Sequence, residues 1–598
     1  MFVTLPTLLV GCLAMTLSPQ DNETPAGSFK AASRPIYDYR AEGVGDLVPD
    51  FGFVDALGES GTLSQLIDGG ALVLSVRDVG CPVSKRYAPR LAGLERLYGK
   101  LGVSFAYIDC SPQDTAADIL ASAKKQGLRG RQLIDPEGEI GRLLGLRTTT
   151  EVLVIDSART LHYRGAVDDQ YGIGFSRDAA AHDWLAAAID AVLTSSQPAV
   201  SATTAVGCVL DLGSSDDALA IPENPTWHGA VSRVLQNSCV TCHRDGGVAP
   251  FALDDYAQAS GRKGMLNYVI EHDIMPPWGA AMGGPWSNNR SLGGRDRELL
   301  TRWLEGGCPE GDPAEAPLPR SWPDSWELGE PDVVYTGKSI DVPAEGTIPY
   351  QYYYVKTDQK TDRWVNAIEI LPGAQQQVHH VLVFIEAPPA GQQDRITTNG
   401  DGGLYGYFAG YIPGQGGRDF GPDKAKLLPA GAWLKFQMHY TSNGEPAQDT
   451  TRIGFHFADG EPTHELLTHA IAKQYFEIPP QADNVKIRAF ETFSNGGTLS
   501  GLSPHMHLRG NKAFRYELEG PDGERTVLLD VPAYDFNWQT MYQLAEPLTI
   551  PPGSTIYATA WFDNSENNPA NPDPNATVTF GEQTWEEMMI GYYEWWAD

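Results

Sequence analysis

Four short motifs in the C-terminal half gather imidazole and thioether side chains. "VHH" carries His379 and His380, "QMHY" carries His439, "SPHMHLRG" carries His505 and His507, and "TWEEMMIG" carries Met588. Histidines two apart on a strand share a face, so His505 and His507 form a natural two-point metal grip. Adjacent histidines on a regular strand point apart. His379 and His380 can converge only where the strand begins or bulges, and "PGAQQQ" upstream supplies irregular backbone. Imidazole plus thioether, with no carboxylate in the set, suits copper that cycles through Cu(I). His456, His464 and His469 lack such companions and read as structural.

A second motif is "NSCVTCHRDGG", with Cys239, Cys242 and His243. C-x-x-C-H lets two thiols form thioethers to haem vinyl groups while the adjacent histidine reaches the iron. A zinc reading needs another Cys/His pair at zinc spacing, which His272 and Cys308 do not make. The sixth ligand is expected to be Met275 in "HDIMPPW", with Met265 and Met282 as competitors and His272 as an alternative.

A third candidate is Cys81, where the strand "ALVLSVR" runs into a helix expected to start near Pro82 or Ser84. A thiol at a helix N-terminus is stabilised as thiolate by the dipole and the free N–H groups. Cys110 closes a strand and reads as buried; Cys208 is a candidate partner for Cys81, and the pairing of Cys81, Cys208 and Cys308 is left open.

The elements that must hold these residues fall into modules. Residues 1–20 read as a signal peptide or lipoprotein signal, with Cys12 in "LVGC" as the lipidated residue of the second version. Strands and helices interleave over 44–197, which predicts an α/β sheet. Residues 198–223 are rich in Ser, Ala, Asp and Pro and read as a linker. Over 224–310 an amphipathic helix leads into C-x-x-C-H, and "RDRELLTRWLEGG" closes the segment with Leu299/Trp303 and Leu300/Leu304 stacked. From 326 onward helical periodicity vanishes and strand runs alternate with turns, predicting two antiparallel sandwiches at 326–462 and 463–598.

On these residues the first module resembles the thioredoxin-like fold in its redoxin and peroxiredoxin branches. It departs from C-x-x-C at Ser84, from the peroxiredoxin pattern at Asp78, and from the expected cis-proline at Thr150. The span 224–310 resembles a small, all-α cytochrome c. The order HH…H…HxH…M resembles the copper type II, ascorbate-dependent monooxygenases, which include peptidylglycine α-hydroxylating monooxygenase and dopamine β-monooxygenase. That resemblance implies jelly-roll-like copper domains. One copper would be held by His379, His380 and His439 for electron transfer. A second would be held by His505, His507 and Met588, where oxygen binds and a C–H bond is hydroxylated. Met588 rather than Met589 follows the family's acidic pair, here Glu586 and Glu587, and Tyr592 matches a substrate-contacting tyrosine. Ser503 stands where the peptide-specific members carry an arginine, and Ile590 stands in place of an asparagine.

The fold class expected is therefore multi-domain: α/β, then small all-α, then two all-β sandwiches. The expected function is an exported, periplasmic or cell-envelope copper monooxygenase with a covalent haem c. Its reductant would be ascorbate or a redox partner protein, and its substrates O2 and a small molecule or peptide. The alternatives are a copper-binding electron-transfer scaffold and a thiol peroxidase or oxidoreductase using Cys81. A net charge of −32 with no basic stripe excludes a nucleic-acid partner. No segment after the N-terminus is long enough to span a membrane.

Overall fold

The computed structural model describes residues 33–597 apart from 38, 173–174, 211, 213–220, 282–283, 324 and 399–402. The expected signal segment, Cys12 and Met282 lie outside the described residues.

The first domain is built on a seven-stranded sheet. Across it the strands run Ser60–Thr62, Gly52–Asp55, Arg131–Ile134, Val103–Asp109, Ala71–Arg77, Val152–Asp156 and Leu161–Gly165. The three central strands are parallel to one another and the outer pairs antiparallel. Ala71–Arg77 is buried along its whole length, as suits a central strand whose residues Ala71, Leu72, Val73, Leu74 and Val76 are apolar. Helix Pro82–Tyr98 follows, with Cys81 at its N-cap and proline at its first position. Apolar clusters cover both faces of the sheet.

The linker expected over 198–223 differs in its first part. Residues 201–210 lie along the first domain: Ala202 bridges Arg164, Val209 bridges Thr148, and Ala202 and Val206 are buried. The stretch that reads as linker by composition here passes along a sheet edge, where a Cβ at Gly207 would meet the Thr149 carbonyl oxygen.

A helical segment follows, with Trp227–Val231 continuing into Ser232–Ser238, then Tyr256–Ser260, Lys263–Glu271 and Gly294–Glu305. Leu299, Leu300, Trp303 and Leu304 are buried against Trp227, Val231 and Leu235. The pairing expected from their spacing holds. Arg40 of the first domain reaches this segment through a two-pronged bond to Asp296, at 2.6 and 2.8 Å.

The remainder is antiparallel β structure in two lobes, each with its own core. In the first lobe, strands Gln351–Lys356, Trp433–Tyr440, Val378–Ile385 and Tyr407–Tyr411 are neighbours in that order. In the second, Leu467–Ala472, Ile590–Trp596, Gly497–His505 and Tyr542–Ile550 are neighbours. Glu594 of the second lobe is fully buried and bonds both terminal nitrogens of Arg418 at 2.8 Å and the Lys426 ammonium at 3.1 Å. Burial opposes its charge, but Arg418 and Lys426 prevail and hold the carboxyl at about 2. The lobes are thus joined by a charge cluster that is satisfied only when both are in place.

Candidate redox centres

The strand pair Val378–Ile385 and Trp433–Tyr440 answers how adjacent histidines converge. Val378 pairs with Tyr440 and His380 with His439, so His379 is the extra residue of a bulge. The bulge turns its ring to the side already occupied by its neighbour. The Nδ1 atoms of His379 and His380 are 3.2 Å apart. One ring nitrogen from each of His379, His380 and His439 falls within a 4.8 Å cluster. Asn537 Oδ1 lies 3.3 Å from His379 Nε2 and assigns the proton there, leaving Nδ1 as a lone pair.

His505 and His507 have ring centroids 5.2 Å apart. The expectation that both lie on one strand needs correction: the strand ends at His505, and His507 lies just beyond it. The cause is Glu587. Its carboxylate accepts the backbone N–H groups of His507 at 3.0 Å and Arg509 at 3.2 Å, taking the place of a strand partner. Met506 between the histidines still points into the core. His505 Nδ1 donates to Gln539 Oε1 at 2.7 Å, which leaves Nε2 as the free lone pair.

Met588 and Met589 face opposite ways. Met589 belongs to the core of the second lobe, whereas Met588 packs in a separate small cluster with Ile590 and Tyr592. Met588 directly follows the Glu587 that grips the His507 backbone. Tyr592 donates its hydroxyl to Gly403 O at 3.0 Å, and its ring centroid is 6.3 Å from that of His505.

The two histidine sets are close to each other. The Tyr350 ring, absent from any sequence motif, lies 4.7 Å from His439, 5.5 Å from His380 and 6.1 Å from His507. Burial pushes His379 and His505 down to about 4 and holds His380, His439 and His507 well below the ordinary imidazole range. All five are neutral, the form that ligates a metal. His380 Nε2 and His439 Nδ1 are buried without a hydrogen-bond partner, whereas the His507 ring faces the backbone of Glu586 and Gln583. Two orphaned nitrogens side by side are costly in a protein interior. Their chemistry fits a soft-to-borderline metal such as copper. A cavity walled by His380, His505, Tyr592, Met541, Ser503 and Arg418 reaches both sets. His464 stacks on Trp596 and His469 lies against Tyr593, outside this region.

An apolar cavity of about 480 Å³ is lined by Cys239, Cys242, His243, Met265 and Met275. That is within the range of roughly 300–1,000 Å³ of cofactor and ligand pockets. His243 Nδ1 lies 3.0 Å from the Phe251 carbonyl oxygen, so Nδ1 carries the proton and Nε2 is free. The residues fit a haem: two unbridged thiols, one oriented imidazole and two thioethers line one apolar space. His272 instead turns back to the Tyr268 carbonyl, 2.9 Å away. The far wall of the same cavity is Gln377, Val378, His379 and Asn537.

In the first domain, Cys81 Sγ lies 3.1 Å from Thr149 Oγ1 and 3.1 Å from Cys208 Sγ. Burial opposes ionisation of Cys81. Hydrogen bonds from the Thr149 hydroxyl, the Ser84 N–H and Cys208 outweigh it and bring the thiol to about 7. The bond to Cys81, with some burial, pushes Cys208 up to about 11. Cys110 is buried beside Asp135, and burial raises it beyond reach of ordinary thiolate chemistry.

Residues 43–181 match the family model described as Redoxin. This stretch is a redoxin domain. No curated protein matches the chain significantly. Among solved structures, a hypothetical protein from Sinorhizobium meliloti is 25% identical over 31% of this chain and 100% of its own, with a TM-score of 0.28. A peroxidoxin from Mycobacterium tuberculosis is 21% identical over 25% of this chain and 93% of its own, with a TM-score of 0.20. A secreted disulfide oxidoreductase from the same organism is 17% identical over 24% and 96%, with a TM-score of 0.19. Among the described residues no helix is long and apolar enough to cross a membrane.

Sequence motifs missed Tyr350, Asn537, Gln539 and Thr149, and Glu587 was noted only as part of the acidic pair before Met588. None belongs to a repeated pattern. Only the polar tail of "FNWQT", between two strands, carried any signal.

Proposed function

We propose that the protein is an exported copper monooxygenase that hydroxylates a C–H bond with O2. The observation that carries this reading is the cluster of His379, His380 and His439, whose His380 shares a cavity with His505 of the second set. The first three would hold one copper, and His505, His507 and Met588 a second. Copper so held would supply one-electron redox chemistry at the first site and oxygen activation at the second. The protein's own part is positioning. Asn537 and Gln539 fix the tautomers of His379 and His505. Glu587 fixes the backbone of His507. Arg418 and Lys426 line the cavity, but both are committed to Glu594. Among the described residues, both cations of the lining are bonded to Glu594, and Ser503 adds no charge, which favours a substrate without a carboxylate. Cys239, Cys242, His243 and Met275 would hold a covalent haem. Their cavity is also lined by His379, which suits delivery of electrons to the first site. Oxygen uptake by the copper-loaded protein, screened against neutral organic substrates, tests the reading. Substrate-dependent uptake is expected, and metal binding without any uptake would leave a copper-binding scaffold.

A second reading is favoured by the Redoxin match and by the Cys81 environment. Here the redoxin domain performs thiol oxidoreductase chemistry through Cys81. Loss of thiol–disulfide or peroxide turnover in Cys81→Ser tests it. Turnover unchanged in that variant would remove it.

A further inference from the structure

Cys208 lies 127 residues beyond Cys81 in sequence, yet the two sulfurs are 3.1 Å apart. The placement is built rather than incidental. Thr149 clamps both cysteines: its N–H donates to the Cys208 carbonyl at 2.9 Å and its Oγ1 accepts the Cys208 N–H at 2.9 Å. The same Oγ1 lies 3.1 Å from Cys81 Sγ. Thr150 adds a bond from its hydroxyl to the Val206 carbonyl at 3.0 Å. Gly207 permits the approach, because a Cβ there would lie 1.8 Å from the Thr149 carbonyl oxygen.

We propose that Cys81 and Cys208 form a reversible redox disulfide, in which Cys208 is the sulfur that exchanges with substrate thiols. A disulfide bond is about 2.05 Å long, so closure asks for a movement of roughly 1 Å. The two sulfurs differ in access: Cys81 is 2% exposed, whereas Cys208 is exposed. An incoming thiolate therefore attacks Cys208 Sγ. The bond between the cysteines breaks and Cys81 leaves with the electron pair as thiolate. Its place at the N-terminus of a 17-residue helix, beside the Thr149 hydroxyl, makes it the better leaving group. A second substrate thiolate then attacks the substrate sulfur of the mixed disulfide, and Cys208 departs and takes a proton. Two thiols become one disulfide, and the cysteine pair gains two electrons. Run in reverse, the same steps reduce a substrate disulfide.

This inference rests on the thiol-oxidoreductase reading of the redoxin domain and is independent of copper. The experiment equilibrates the full-length protein in glutathione buffers of graded redox ratio, with and without a copper chelator. The samples are acid-quenched, alkylated and peptide-mapped. A linked Cys81–Cys208 peptide should rise with the oxidised fraction, whether or not copper is present. Cys81→Ser should accumulate glutathione on Cys208. Cys208→Ser should take up glutathione at Cys81 about tenfold more slowly or worse, because that sulfur is covered. Absence of the linked peptide at every ratio would overturn the pair. Equal glutathione uptake by the two variants would overturn the role of Cys208. If stoichiometric hydrogen peroxide links the cysteines and glutathione disulfide does not, the exchange role also falls, and peroxide reduction replaces it.

Discussion

His380 lies directly opposite His439 across an antiparallel strand pair, with ring centroids 5.0 Å apart, and the bulge at His379 brings a third imidazole to the same point. Cross-strand neighbours are held by backbone pairing, so this set is preorganised before any metal arrives. His439→Ala should remove the copper of this set and leave that at His505, His507 and Met588. Copper content per chain checks this, with one expected instead of two.

The second proposed set would contain the thioether of Met588. Met588→Ala should weaken copper chiefly in the reduced state, because the soft sulfur favours Cu(I). Titration of the reduced variant with a Cu(I) chelator should strip one copper more readily than from the parent. Identical retention would take Met588 out of the ligand set.

Much of this site was legible in the sequence, and the reasons are physical. The HxH pair and the strand runs carry short-range patterns. The need for a bulge at His379 followed from the period of two. What failed was anything set by tertiary contact. That His507 lies beyond its strand depends on Glu587, eighty residues away. Tyr350, between the two sets, had no pattern to announce it. Residues 201–210 read as linker because Ser, Thr and Ala suit both a loose chain and a close-packed edge; Cys208 stood as a candidate partner of Cys81, but the Thr149 contacts that bring the two together had no sequence signal. The helical segment was foreseen from the stacking of Leu299 with Trp303, a local signal.

Glu594 provides a stability prediction. Glu594→Gln leaves Arg418 and Lys426 short of their buried partner, and breaking such a pair costs about 3–5 kcal/mol. Its carboxyl is held below the ordinary value, so its contribution is complete above about pH 4.5 and is lost as pH falls toward about 2. Denaturant unfolding of the parent and the variant at neutral pH and at pH 3 should show the gap narrowing in acid. A gap independent of pH would contradict the assignment.

Cys81 provides a reactivity prediction. With its thiol brought to about 7, alkylation of the reduced protein should rise through a midpoint near pH 7 as thiolate forms. Thr149→Val removes a hydrogen bond to that thiolate and should move the midpoint upward. A parent midpoint near that of a free thiol would contradict the environment described.

The C-x-x-C-H motif predicts covalent attachment. Acid–acetone extraction should leave haem on the chain, and Cys239→Ser with Cys242→Ser should lose it. Met275→Ala should retain the haem while changing its axial-ligand spectrum. Haem stripped from the parent by extraction would contradict the attachment.

The account rests most directly on copper bound per chain, measured on the purified, copper-loaded protein and on a His439→Ala/His507→Ala double variant that remains folded. The account predicts two tightly held coppers in the parent and none in the double variant. Equal copper in both, or none in the parent, would contradict it.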